Sequence, residues 1–181
     1  MQHSGLPVTG PDPRSLTMYD FAPKQDLAAA ERYRQLADAA EALTHGEPDA
    51  VANMANLAAL LWEFVPGLNW AGFYRMVGGE LVLGPFIGRP ACIRIPLGKG
   101  VCGTAAATGR TQLVEDVHAF PGHIACDVAS QSELVVPVLH EGTVVAVIDL
   151  DAPVKARFGP EDAAGIEQLA ARIAARIAQP A

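Results

Sequence analysis

Leu134-Val135-Val136-Pro137-Val138-Leu139-His140 and Thr143-Val144-Val145-Ala146-Val147-Ile148-Asp149-Leu150, joined by Glu141-Gly142, decide the fold class of this chain. Both runs are rich in branched apolar residues, and the two residues between them suit a tight turn, so a β-hairpin is predicted. A second hairpin is expected upstream, from Trp70 to Met76 and from Leu81 to Ile87, around Gly78-Gly79. Shorter strands are expected over Cys92 to Ile95 and Gln112 to Glu115. Strands joined by hairpins lie antiparallel, because parallel neighbours need a long crossover.

Helical periodicity surrounds these strands. Lys24 to Leu43 places Tyr33, Leu36, Ala40 and Leu43 on one face. Asp49 to Phe64 does the same with Val51, Met54, Leu57, Leu60, Leu61 and Phe64, and Pro66-Gly67 stops it. Trp62 reads as a packing residue of this helix. A short helix over residues 101–108 closes at Gly109. The last helix starts at Pro160 and turns Ile166, Leu169, Ile173 and Ile177 inward. The expected class is α+β, an antiparallel sheet flanked by helices.

The length of 181 residues suits one well-buried domain. Residues 1–20 are expected to form an irregular tail, since residues 1–14 hold three prolines and two glycines, and residues 21–181 the domain. Half the residues are apolar and 18% are charged, as in ordinary globular chains. The net charge of −7 argues against nucleic acid or an anionic membrane as partner. No apolar run is long enough for a membrane span, and no secretory pattern opens the chain. A cytoplasmic location with reduced thiols is therefore expected.

All three cysteines fall within residues 92–126. Cys102 lies in Gly98-Lys99-Gly100-Val101-Cys102-Gly103-Thr104, at the expected start of the short helix. Unpaired N–H groups there, with Lys99 nearby, favour a thiolate. Cys126 closes Gly122-His123-Ile124-Ala125-Cys126-Asp127, where Asp127 would raise its pKa. An odd number of thiols in polar sequence fits redox chemistry better than a structural framework. On the residues alone, Cys102 and Cys126 are both candidate nucleophiles.

Successive cysteines are separated by nine and 23 residues, with no tight C-x2-4-C pair, and His123-x-x-Cys126 is a weak signal. No metal is expected. Gly98-Lys99-Gly100 lacks the spacing of a phosphate-binding loop, and no cofactor is expected.

Three carboxylates stand out. Glu133 opens the apolar run Leu134-Val135-Val136, and Asp149 ends Val144 to Ile148. Asp149 and Asp151 project to one face of an extended segment. Asp149, between Ile148 and Leu150, reads poorly as a solvated strand end. Acids there can form an anionic pocket for an ammonium group and, with raised pKa values, donate protons. Trp70 and Tyr74 share a face of their strand and read as core.

Six segments carry a family resemblance: Gly88-Arg89-Pro90-Ala91-Cys92-Ile93-Arg94-Ile95-Pro96, Gly98 to Ala105, Glu115-Asp116-Val117-His118, Gly122 to Asp127, Ser130-x-Ser132-Glu133, and Val147-Ile148-Asp149-Leu150-Asp151. With Asn69-Trp70-x-Gly72-Phe73-Tyr74, they resemble the free methionine-(R)-sulfoxide reductases, built on a GAF domain. The resemblance implies that Cys126 attacks the sulfoxide sulfur and is left as a sulfenic acid. Cys92 would resolve it as a disulfide into which Cys102 can exchange, and thioredoxin or a similar dithiol would restore the enzyme. Glu133, Asp149 and Asp151 would hold the substrate ammonium, and Trp70 would pack against its methyl group. Preference for the R epimer and a homodimer paired through helices are further implications. The competing expectation is a non-catalytic GAF module that binds a small ligand or senses oxidants.

Overall fold

Two hairpin turns set the architecture, and each has a pair of residues at positive φ. These are Gly78 (61°) with Gly79 (86°), and Glu141 (50°) with Gly142 (78°). Two consecutive left-handed residues match the twist of antiparallel strands. The structure is a computed structural model that describes residues 23, 27–122 and 128–178. Its strands are β1 (Trp70–Val77), β2 (Glu80–Gly88), β3 (Arg94–Ile95), β4 (Gln112–Val114), β5 (Ser132–His140) and β6 (Thr143–Ala152). They form one antiparallel sheet in the order β3-β2-β1-β6-β5-β4. The helices are α1 (Ala29–Leu43), α2 (Ala50–Phe64), α3 (Gly100–Thr108) and α4 (Pro160–Ile177).

Both faces of the sheet are covered. One face, with Ala71, Phe73, Leu134, Val136, Ile148 and Leu150, packs with α1, α2 and α4 in the larger core. Trp70, Tyr74, Val135 and Val147 point the other way and join Ile95 and residues of α3 in a second core. Burial on both sides explains why β5 and β6 read as continuous apolar runs instead of alternating ones. The α+β expectation holds.

Several details differ from the sequence reading. Cys92 lies ahead of the two-residue β3, not within a strand. Val51 is 43% exposed and Trp62 37% exposed, so neither is an inward residue of α2. They stand eleven residues apart, close to three full turns, and so share one side of the helix. The inward positions include Asn53, whose amide donates to Glu47 O at 3.0 Å and Arg176 O at 2.9 Å. A satisfied polar group thus replaces an apolar one at the α2–α4 contact.

Helices α1 and α4 meet where Gly165 lies against Tyr33, whose hydroxyl donates to Asp162. A Cβ on Gly165 would fall 2.2 Å from Tyr33 Cγ. Alanine gains about 1 kcal/mol of helix propensity over glycine, which the clash should outweigh. Gly165→Ala is expected to lose about 1–3 kcal/mol of stability in urea unfolding. Unchanged stability would mean that α1 moves aside freely.

Candidate active site

Strand register brings the sequence-predicted acids together. One row across the sheet reads Val114, Glu133, Asp151, Trp70, Gly88, from β4 through β5, β6 and β1 to β2. The row two positions along, on the same face, reads Gln112, Val135, Asp149, Gly72, Phe86. Residues two apart on a strand share a face, so Asp149, Asp151, Glu133 and Trp70 all lie on the side opposite α1, α2 and α4.

Helix α3 closes over this face and carries Cys102 in its first turn. Gly103 beside it serves close packing: a Cβ there would fall 2.4 Å from Pro96 O. Gly98 N–H donates to Gly103 O at 2.8 Å, and Gly103 N–H to Lys99 O at 3.1 Å. The thiol of Cys102 donates to Glu133 Oε1 at 3.8 Å. Sγ of Cys102 and carboxylate oxygens of Glu133 and Asp149 all lie within 4.8 Å of one another. Cys102 is only 4% exposed and each acid 6%. Asp149 Oδ1 has no hydrogen-bond partner, and among the described residues no lysine or arginine forms an ion pair with either acid.

The electrostatics follow from that crowding. Burial lifts the Asp149 carboxyl to about 7. Burial, then the charges of Asp149 and Asp151, pushes Glu133 well above the usual carboxylate range. Burial also raises Cys102, and Asp149 and Glu133 add to the rise. The expectation that the helix start would favour a Cys102 thiolate therefore fails: the α3 location is right, but burial and two acids outweigh the backbone N–H groups. Lys99 is exposed.

Trp70 is held on three sides. Its ring stacks on Tyr74 at 5.9 Å and on Phe86 at 5.2 Å, and Nε1 donates to Arg89 O at 3.1 Å. Tyr74 reaches further and donates its hydroxyl to Cys92 O at 3.0 Å. Cys92 is half-buried and disulfide-bonded, whereas Cys102 is a free thiol. Cys126, His123 and Asp127 lie outside the described residues. A groove of about 500 Å³ between α4 and β5, lined by residues including Arg110, Pro137 and Glu167, contains no thiol.

Comparison with known proteins fits this arrangement. The GAF domain family matches residues 54–178, which span every strand and the whole candidate site. The chain is 49% identical over 143 residues to the free methionine-R-sulfoxide reductase of Escherichia coli (strain K12), covering 79% of this chain and 87% of that protein. It belongs to the free methionine-(R)-sulfoxide reductase family. The Saccharomyces cerevisiae protein of the same name is 43% identical over 153 residues, covering 80% of this chain and 85% of that one. A solved structure of the Neisseria meningitidis free methionine-R-sulfoxide reductase in complex with its substrate superposes with a TM-score of 0.81. It is 42% identical, covering 86% of this chain and 94% of that one.

Within this family's fold, two residues were missed as supports of the site. Tyr74 was read only as core, yet its hydroxyl ties the Cys92 main chain to β1. Its alternation with Trp70 was the available signal. Asn69 sits just before β1, where its Nδ2 donates to Ser130 Oγ at 3.0 Å and its N–H to Asp151 O at 3.0 Å. No local pattern announces contacts across 61 and 82 positions.

The raised Asp149 carboxyl makes stability depend on pH. It holds its proton to about pH 7 when folded, but only to about pH 4 when unfolded. Its stabilising effect is complete below the lower value and is lost as pH rises through the upper one. Relative to Asp149→Asn, wild type is expected to lose a few kcal/mol, at order of magnitude, between about pH 4 and pH 8. Urea unfolding at stepped pH reads this out, and a constant gap between the two proteins would refute it.

Proposed function

We propose that this chain reduces free L-methionine (R)-sulfoxide to methionine, using its cysteines as the electron source. The observation that carries this reading is the buried acidic site, Glu133 with Asp149, which no lysine or arginine among the described residues neutralises. A free amino acid brings the missing ammonium, whereas a methionine inside a peptide does not. Asp151, in register with both Glu133 and Trp70, completes the anionic wall. Trp70, on the same sheet face as the acids and fixed by its two ring neighbours, is the apolar group that meets the S-methyl group in this reading. Relatives bearing the reductase name support the same substrate.

Chemistry begins with the Cys126 thiolate attacking the sulfoxide sulfur. A carboxyl that stays protonated near neutrality, Glu133 or Asp149, gives its proton to the sulfoxide oxygen as the S–O bond weakens. That oxygen passes to Cys126, methionine leaves, and Cys126 becomes a sulfenic acid. The Cys92 thiol then attacks the sulfenic sulfur, expels water and forms a disulfide. Thioredoxin or a similar dithiol reduces it by exchange, supplying the two electrons. The disulfide state of Cys92 supports a redox role. Cys102, protonated against Glu133, suits a later exchange better than the first attack.

A cytoplasmic location and a homodimer paired through helices belong to the same reading. No described helix is long and apolar enough to cross a membrane. A non-catalytic GAF module that binds a small ligand or senses oxidants is not favoured, because relatives that match most of this chain bear the reductase name.

The test is methionine released from the separate R and S epimers of free methionine sulfoxide, with excess dithiothreitol. Release from R alone is expected. Cys126→Ser, folded, should lose at least about 10³-fold in rate, while Cys102→Ser should stay within about tenfold. Wild-type activity in Cys126→Ser would remove the nucleophile assignment, and no release from either epimer would remove the reaction.

A further inference from the structure

The thiol and two carboxylates that face one another beneath α3 have the composition of a metal site as well as of an ammonium site. We propose that Cys102, Glu133 and Asp149 bind a thiophilic divalent cation of the zinc class. Three observations converge. The donor atoms come from three separate elements, α3, β5 and β6, and lie within 4.8 Å of one another, with Sγ and Oε1 at 3.8 Å. All three residues are more than nine-tenths buried. Asp149 Oδ1 is buried with no hydrogen-bond partner, an acceptor that a cation would satisfy.

The spacing suits zinc. Tetrahedral zinc, with bonds of about 2.3 Å to sulfur and 2.0 Å to oxygen, separates its ligand atoms by about 3.3–3.5 Å. The Cys102–Glu133 pair, at 3.8 Å, is within a few tenths of an ångström of that, and a separation at the 4.8 Å limit needs a closure of about 1.5 Å at most. A thiolate among the ligands discriminates against magnesium and calcium. Binding displaces the Cys102 thiol proton, and any proton held by the Glu133 and Asp149 carboxyls, to solvent and leaves a fourth position for water. The cysteine spacing gave no hint of this, because only one of the ligands is a cysteine and none is close to another in sequence.

Cobalt(II) provides the probe. The full chain is prepared free of chelator in the disulfide form, with Cys102 as a free thiol, and titrated with Co²⁺ and then Zn²⁺. A thiolate-to-cobalt charge-transfer band saturating at one metal per chain, and abolished by Zn²⁺, is expected. Cys102→Ser should lose the band, and Asp149→Asn should weaken binding at least about tenfold. A band that survives in Cys102→Ser, or equal affinity in Asp149→Asn, would overturn the site, as would no binding at millimolar metal. Should either variant fail to fold, X-ray absorption of zinc-loaded wild type decides. One sulfur with oxygen neighbours supports the site, and two or more sulfurs refute it.

If the same acids hold the substrate ammonium, as proposed above, bound zinc is also expected to compete with free methionine. The two ideas separate cleanly. Methionine release without any cobalt band sinks the metal site alone, and a cobalt band that methionine does not displace sinks the shared pocket.

Discussion

The register between β5 and β6 is the constraint on which everything else rests. Glu133 faces Asp151, and Val135 faces Asp149. A slip of one residue would turn one strand over. Leu134 would come onto the site face, or Asp149 and Asp151 would be driven among α1, α2 and α4. Hydrophobic patterning alone specifies this register weakly, because both faces are apolar. The acids supply the missing specification, since an unpaired carboxylate in the larger core would cost several kcal/mol. The same groups that make the site chemically useful therefore also fix the strand pairing that builds it.

The second determinant is a contest of electrostatic effects at Cys102. A helix start stabilises a nearby anion by about 0.3–1 kcal/mol, and by about 2 in the best geometries. Burial and like charge shift buried groups by several pKa units, each worth about 1.4 kcal/mol. Burial wins, and the thiol under α3 keeps its proton. The site is thus a buried cluster of oxygen and sulfur groups that hold their protons more tightly than they would in water.

Much of this was legible in the sequence. Both hairpins were announced by branched residues and by turn pairs that tolerate positive φ, and α4 by its apolar stripe behind Pro160. Asp149 declared itself because a charged residue between Ile148 and Leu150 has no ordinary place in a buried strand. The face of α2 was ambiguous, since apolar residues occur all round it; only packing assigns Val51 and Trp62 outward. The helix at Cys102 was legible, but the reason for Gly103 within it was not: Gly103 lets α3 approach Pro96 O. That reason depends on a contact made through space. The tail and the segment bearing Cys126 lie outside the described residues.

The two cores have different tenants. Described acids and thiols of the site all lie on the α3 side of the sheet, and the layer built by α1, α2 and α4 contributes none of them. The two sides communicate through the shared backbone of β1, β5 and β6. The helical layer is in effect a chassis. It can drift, or be rebuilt for heat tolerance, as long as those three strands keep their pitch and spacing. The α3 side has no such latitude, since there the packing atoms and the reacting atoms are the same.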